Sequence, residues 1–196
     1  MKFPIKMGFK LWAFVPQIYV ADVDNYDLMY VYQQYFRIKE KVDVYADKDK
    51  TKKLYQINAD RIIDFSPLFV VINAETGETV CSVKRYGIKS LWQSNYEVYD
   101  GETVIYKILE ANPWTRLGDN LIKEIPILGA FSGLFLNPSY DIVEVSSGKV
   151  VARITKKPSF IERFFHLEKV EEINEKQSQK IVLSALVLVL RERMRG

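Results

Sequence analysis

A single cysteine, Cys81, and a single histidine, His166, are all the chain has of the side chains that most often ligate transition metals or relay protons. One cysteine excludes an internal disulfide and suits a reducing compartment. One histidine argues against His-based metal sites and against most His-dependent catalysis. Only nine residues are glycine, and no Gly-rich loop ends in Lys-Ser/Thr, so nucleotide hydrolysis of that type is excluded. Charge of either sign is not in excess: 28 basic residues against 25 acidic give a net +3, too small by itself to imply nucleic acid. No low-complexity tract or domain linker interrupts the chain. What is present is ordinary for a core-forming protein, with 48% hydrophobic and 27% charged residues over 196 positions. Twelve Tyr and eleven Phe lean toward β-structure.

The N-terminus combines a basic start, MKFPIKMGFK, with the mostly apolar LWAFVPQIYVA. Pro16 and Gln17 break that apolar run, and Asp22 and Asp24 follow where an export signal would carry small residues. The segment therefore reads as an entry strand into a single domain spanning residues 1–196.

Strand and turn signals then alternate at short spacing. Leu28 to Phe36 is rich in Tyr, and Ile38, Val42 and Val44 fall on one alternating face. The charged run Ala46 to Lys53 is a solvated turn before Leu54 to Asn58. Pro67–Asn73 and Glu78–Lys84 flank AETG, where Gly77 can take a positive φ. Leu91–Tyr99 and Glu102–Leu109 flank Asp100-Gly101, the strongest hairpin signal in the chain. Tyr140–Val145 and Lys149–Thr155 flank Ser146-Ser147-Gly148. At least eight strands so spaced predict an antiparallel sandwich or barrel. Residues 112–137, with NPW, Pro126 and GAFSGLF, read instead as a short helix and an irregular apolar excursion.

The C-terminal stretch IVLSALVLVL, Ile181 to Leu190, is apolar at every position but Ser184. A helix built from it has no polar face. Asn174 is placed as an N-cap, and Arg191, Arg193 and Arg195 suit the negative end of the helix dipole. The predicted helix, Glu175 to Met194, is ~30 Å long, but its fully apolar part of ~15 Å is half a hydrocarbon core. Such a run belongs in a protein core. A closed barrel of about twelve strands, ~4.8 Å apart and tilted ~40°, has a radius near 12 Å and can enclose one helix.

A strand-rich domain closed by such a helix resembles the Tubby C-terminal-like superfamily, which includes the LURP-one-related proteins and the phospholipid scramblases. VYQQYFRIKEKVDVYAD, YQINADRIIDFSPLFVVINAETGETVCSVKR and SLWQSNYEVYDGETVIYKI look like that family's repeated strand pairs. IVLSALVLVLRERMRG is similar to its final helix. The resemblance runs from about Trp12 to Gly196 and is nearest to the small prokaryotic members. It implies a mainly β fold, a twelve-stranded antiparallel closed barrel around a buried helix. It also implies binding of phosphoinositide or other anionic lipid headgroups through basic residues. The chain departs from the scramblase pattern: it lacks a Pro-rich N-terminal region and a palmitoylation cluster. Glu171, Glu172 and Glu175 lack calcium-loop spacing.

For a headgroup, the densest basic group outside the Lys48–Lys53 turn is Lys156-Lys157 with Arg153 and Arg163; Lys84, Arg85 and Lys89 form an alternative. Exposed charge is ordinarily just solvated, and that is the competing reading of both groups. Asp22, Asp24 and Asp27 begin like a calcium loop, but Tyr26 occupies its fifth position and no Gly follows, so no metal is expected. Gly129 and Gly133 form a GxxxG in a segment too short to span a bilayer. Trp92 and Trp114 suit either core or membrane-rim positions. Cys81 reads as core, and neither it nor His166 completes a catalytic set, so no enzyme and no cofactor are expected. The expected function is a non-enzymatic lipid-headgroup or membrane-surface module, cytoplasmic and peripheral at the membrane, with no span and no nucleic acid. The alternative is a protein–protein interaction module without lipid binding.

Overall fold

The computed structural model describes residues 1–10, 17–32, 41–59, 68–86, 95–111, 139–157 and 164–193. Twelve strands run in chain order: β1 (Ile5–Lys10), β2 (Gln17–Ala21), β3 (Asp27–Tyr32), β4 (Lys41–Tyr45), β5 (Lys53–Ala59), β6 (Leu68–Asn73), β7 (Thr79–Tyr86), β8 (Asn95–Asp100), β9 (Thr103–Ala111), β10 (Ser139–Glu144), β11 (Val150–Lys157) and β12 (Phe164–Lys169). One helix follows, α1 (Glu175–Arg193). Each strand pairs antiparallel with its sequence neighbours, and β1 closes on β12, giving a closed barrel. Closure removes both sheet edges, so no strand is left with a row of unpaired backbone groups.

The turns form where their chemistry demands. Gly77 and Gly101 take φ of 74° and 59°, conformations closed to most side chains. The aspartates that begin like a calcium loop cap a turn: Asp22 Oδ1 accepts the N–H groups of Asp24 (3.0 Å) and Tyr26 (3.1 Å). Asp47 does the same for Asp49 in the charged turn after β4.

Period-two alternation sends one face of every strand inward. Ile5, Met7, Ile18, Val20, Val31, Val44, Val71, Val83, Val98, Ile108, Ile142, Ile154 and Leu167 are fully buried there. They enclose α1, in which Ile181 to Leu190 are all between 0% and 6% exposed. The helix is thus the centre of the core, and its all-round hydrophobicity is used on every side. Fully burying each Leu, Ile or Val contributes about 1.5–3 kcal/mol relative to exposure. The one polar interruption, Ser184, is satisfied within the helix, its Oγ donating to the Lys180 carbonyl at 2.7 Å.

The start of α1 is fixed at the short-turn end of the barrel. Asn174 Oδ1 accepts the Gln177 N–H, and Gln177 Oε1 accepts the Asn174 N–H, both at 2.9 Å, a reciprocal capping box. Gln177 also donates to Glu144 at 3.2 Å, Gln179 donates to the Tyr55 hydroxyl at 2.8 Å, and Lys180 pairs with Asp100. The helix ends at the opposite mouth, from which the longer connections leave. Residues 112–137 with Trp114, Gly129 and Gly133 lie outside the described residues, as does Trp92.

Candidate functional site

Strand alternation decides which basic residues share a face. In register, Arg153 faces Glu168, Lys156 faces Phe165 and Lys157 faces Phe164. Phe165 is a core residue, 3% exposed, so Lys156 stands on the inner face, while Arg153 and Lys157 stand on the outer face. Adjacent lysines on a strand cannot converge on one ligand. Arg153 is also engaged: its Nε donates to Asp141 at 2.5 Å, directly across on β10. Asp141, with Glu168 beside it, holds the Arg153 guanidinium above its ordinary pKa. Arg153 is an ion-paired strap on the wall. Arg163 lies outside the described residues.

The alternative group divides the same way. Lys84 faces Glu97 on the outer wall, whereas Arg85 pairs with Tyr96, 1% exposed, on the inner face. Lys89 lies outside the described residues.

What the closed sheet does bring together is a patch across β2, β1, β12 and β11. One outer row reads Tyr19–Gly8–Phe164–Lys157, and the adjacent row reads Ala21–Lys6–His166–Thr155, each pair in direct register. Gly8 lets the Tyr19 ring lie across it; a Cβ there would overlap the ring and push it aside. Lys6 leans over that low point, its Nζ 4.9 Å from the Phe164 ring centroid and 5.5 Å from that of Tyr19. Phe164 and His166 stack side by side at 5.3 Å. Toward β4 the first row continues through Tyr30 and Tyr45, and Lys50 sits 4.0 Å over the Tyr32 ring. The wall is therefore a band of aromatic rings with lysines at its margins.

Neither Lys6 nor Lys157 forms an ion pair among the described residues. The field they create is visible at His166. Its pKa is held below the ordinary 6.5 first by burial, then by the positive charge of Lys157 and, more weakly, of Lys6, with Glu168 opposing.

The same geometry separates the two groups a thiol–imidazole pair would need. Cys81 lies in the core, 0% exposed, with its thiol pushed up to about 11 by burial, whereas His166 is on the outer wall. Among the described residues no three His, Cys, Asp or Glu side chains gather to hold a metal. Sequence reasoning did not single out Lys6, Tyr19 or Phe164. The alternation of MKFPIKMGFK places Lys6 opposite Ile5 and Met7, but only the pairing of the first strand with the last sets it beside His166.

Comparison with known proteins adds the fold. No family model and no curated protein matches the chain. A crystal structure of a protein from Arabidopsis thaliana aligns over 97% of this chain and 91% of that one, with a TM-score of 0.50 and 14% identity. The likeness is one of fold. It extends over the whole barrel and helix, while identity this low carries no residue roles from one protein to the other.

Proposed function

We propose that the chain is a non-enzymatic module of the Tubby-like type that binds anionic phospholipid headgroups at a membrane surface, using the lysines and rings of its outer wall. The family reading rests on the sequence resemblance, and the barrel around a buried helix is consistent with it. One observation carries the ligand class: Lys6 and Lys157 stand on one outer face, on either side of β12, without carboxylate partners among the described residues. Lys6 on β1 and Lys157 on β11 flank β12 on the same outer face, and long lysine side chains so placed can reach toward one phosphate headgroup. Phe164 and Tyr19 give amphipathic surface suited to the headgroup level. The attachment proposed is peripheral; no described helix is long and apolar enough to cross a membrane.

Co-sedimentation with phosphatidylcholine vesicles, with and without phosphatidylserine, tests this. The protein binds only the anionic vesicles, and binding falls as salt shortens the screening length. Each lysine near the surface contributes about 1 kcal/mol, so Lys6→Glu/Lys157→Glu loses more than tenfold in partitioning. Lys156→Gln, on the inner face, leaves it unchanged. Binding indifferent to salt, or to the loss of both wall lysines, would sink the proposal.

A further inference from the structure

The inner face holds a second concentration of positive charge, at the end of the barrel where α1 finishes. Arg191 is in the last turn of the helix, its guanidinium 5.4 Å from the Phe69 ring centroid. Phe69 on β6 is paired with Val83 on β7, and Arg85 is the next inward-facing residue along β7. Diagonal positions of this kind are ~7–8 Å apart at Cα, well within the reach of an arginine side chain. The Arg191 guanidinium therefore lies within an arginine side chain's reach of the Arg85 backbone, at one corner of the barrel mouth.

Each has a buried Nε without a hydrogen-bond partner, the two such side-chain atoms among the described residues. Neither arginine forms an ion pair among the described residues. The inward-facing Glu110 at this end is on β9, two strands from β7 and roughly 10 Å from it by strand spacing. A buried donor left unmade costs about 1–3 kcal/mol, and more for a charged group. The dipole of α1 favours one cation at its C-terminus, which accounts for a charge on Arg191 but not for a second inward-facing arginine within reach of it. Two arginines that share a corner repel unless an anion lies between them. Arg is also the side chain whose planar fork suits tetrahedral oxyanions.

We infer that Arg85 and Arg191 form an internal oxyanion site at the helix-C-terminal mouth of the barrel, which takes a phosphate group. The site is independent of the wall patch, which lies on β2, β1, β12 and β11, on the far side of the closed barrel from β6 and β7. The phosphate is either free in solution or the headgroup of a lipid phosphomonoester.

The test is thermal unfolding of the full chain in sodium phosphate against sodium chloride at matched ionic strength. A hundredfold excess over Kd raises Tm by roughly 5–10 °C for a chain of this size. Arg85→Gln and Arg191→Gln each abolish the rise, and without phosphate they are no less stable than the parent, because a repulsion has been removed. If either glutamine variant fails to fold by circular dichroism, Arg85→Lys or Arg191→Lys keeps the charge, loses the fork and shows a rise reduced by more than half. Equal responses to inorganic phosphate and to dihexanoyl phosphatidate mark free phosphate as the ligand; a tenfold tighter response to the lipid marks the headgroup. No rise in the parent protein overturns the site, as does an undiminished rise in the arginine variants. A rise lost in Lys6→Gln/Lys157→Gln instead also overturns it, placing the phosphate on the outer wall. Failure of vesicle binding with the phosphate response intact refutes only the membrane proposal.

Discussion

His166 reports the character of the outer wall more directly than any other residue. Burial and the lysines on either side hold its pKa below 6.5, so the folded state keeps it neutral where the unfolded chain begins to protonate. The unfolded state then binds more protons, and stability rises with pH through this window. The contribution is complete above pH 6.5 and declines as pH falls from there toward the lower folded value. Titration of the imidazole resonances by NMR should give a pKa below 6.5 that moves up in Lys157→Gln and, by less, in Lys6→Gln. A value unmoved by both substitutions would remove the electrostatic basis of the proposed surface. Anionic vesicles would raise the same pKa, which links binding to mildly acidic pH. At this scale the sequence was least legible. Lys156 and Lys157 are adjacent in the chain and look like one basic group, yet the pleat puts them on opposite sides of a wall. Lys6 and His166 are far apart in the chain and are direct neighbours.

At the scale of elements, reading and structure agree where local chemistry sets the outcome. Hairpins form around Asp100-Gly101, at AETG and at Ser146-Ser147-Gly148, and the helix spans Glu175–Arg193 against an expected Glu175 to Met194. Asn174 caps it as its side chain and position require. The strand ends differ more. The Leu28–Phe36 strand is described only to Tyr32, and Leu91–Tyr99 is described from Asn95. The N-terminal stretch holds two strands where one entry strand was expected, because Gln17–Ala21 returns antiparallel to Ile5–Lys10. The helix carries a decisive test. Leu186 is 0% exposed at the centre of the barrel, so Leu186→Asp places a carboxylate where no water or partner can reach it. Loss of the cooperative unfolding transition and of the near-ultraviolet circular dichroism is expected. A folded, soluble variant would mean that α1 is not the core.

For the whole molecule, closure makes the interior a single cooperative compartment. Cys81 samples it: the thiol is 0% exposed and its pKa is about 11, so the native protein presents almost no thiolate near neutral pH. Alkylation by iodoacetamide at pH 8 should therefore track global unfolding, with urea raising the labelling rate along the unfolding transition. Rapid labelling in native buffer would show that the barrel opens locally at β7. Closure also creates both candidate sites. The wall patch exists because β1 pairs with β12, and the mouth site because the last turn of α1 brings Arg191 over Phe69, beside the strand that carries Arg85.

The sequence by itself determined that the chain alternates strands with tight turns and ends in a helix apolar on all sides. Those properties are set within a few residues, by pleat periodicity, turn chemistry and capping. From them a barrel around a helix follows, because few other arrangements can bury such a helix. Only the tertiary structure decided which charges meet. Side-chain direction reverses at every residue of a strand, and register between strands distant in sequence is fixed by closure of the ring. The basic residues counted along the chain were therefore sorted by the fold into an ion-paired strap, an outer pair beside His166 and an inner pair at the mouth.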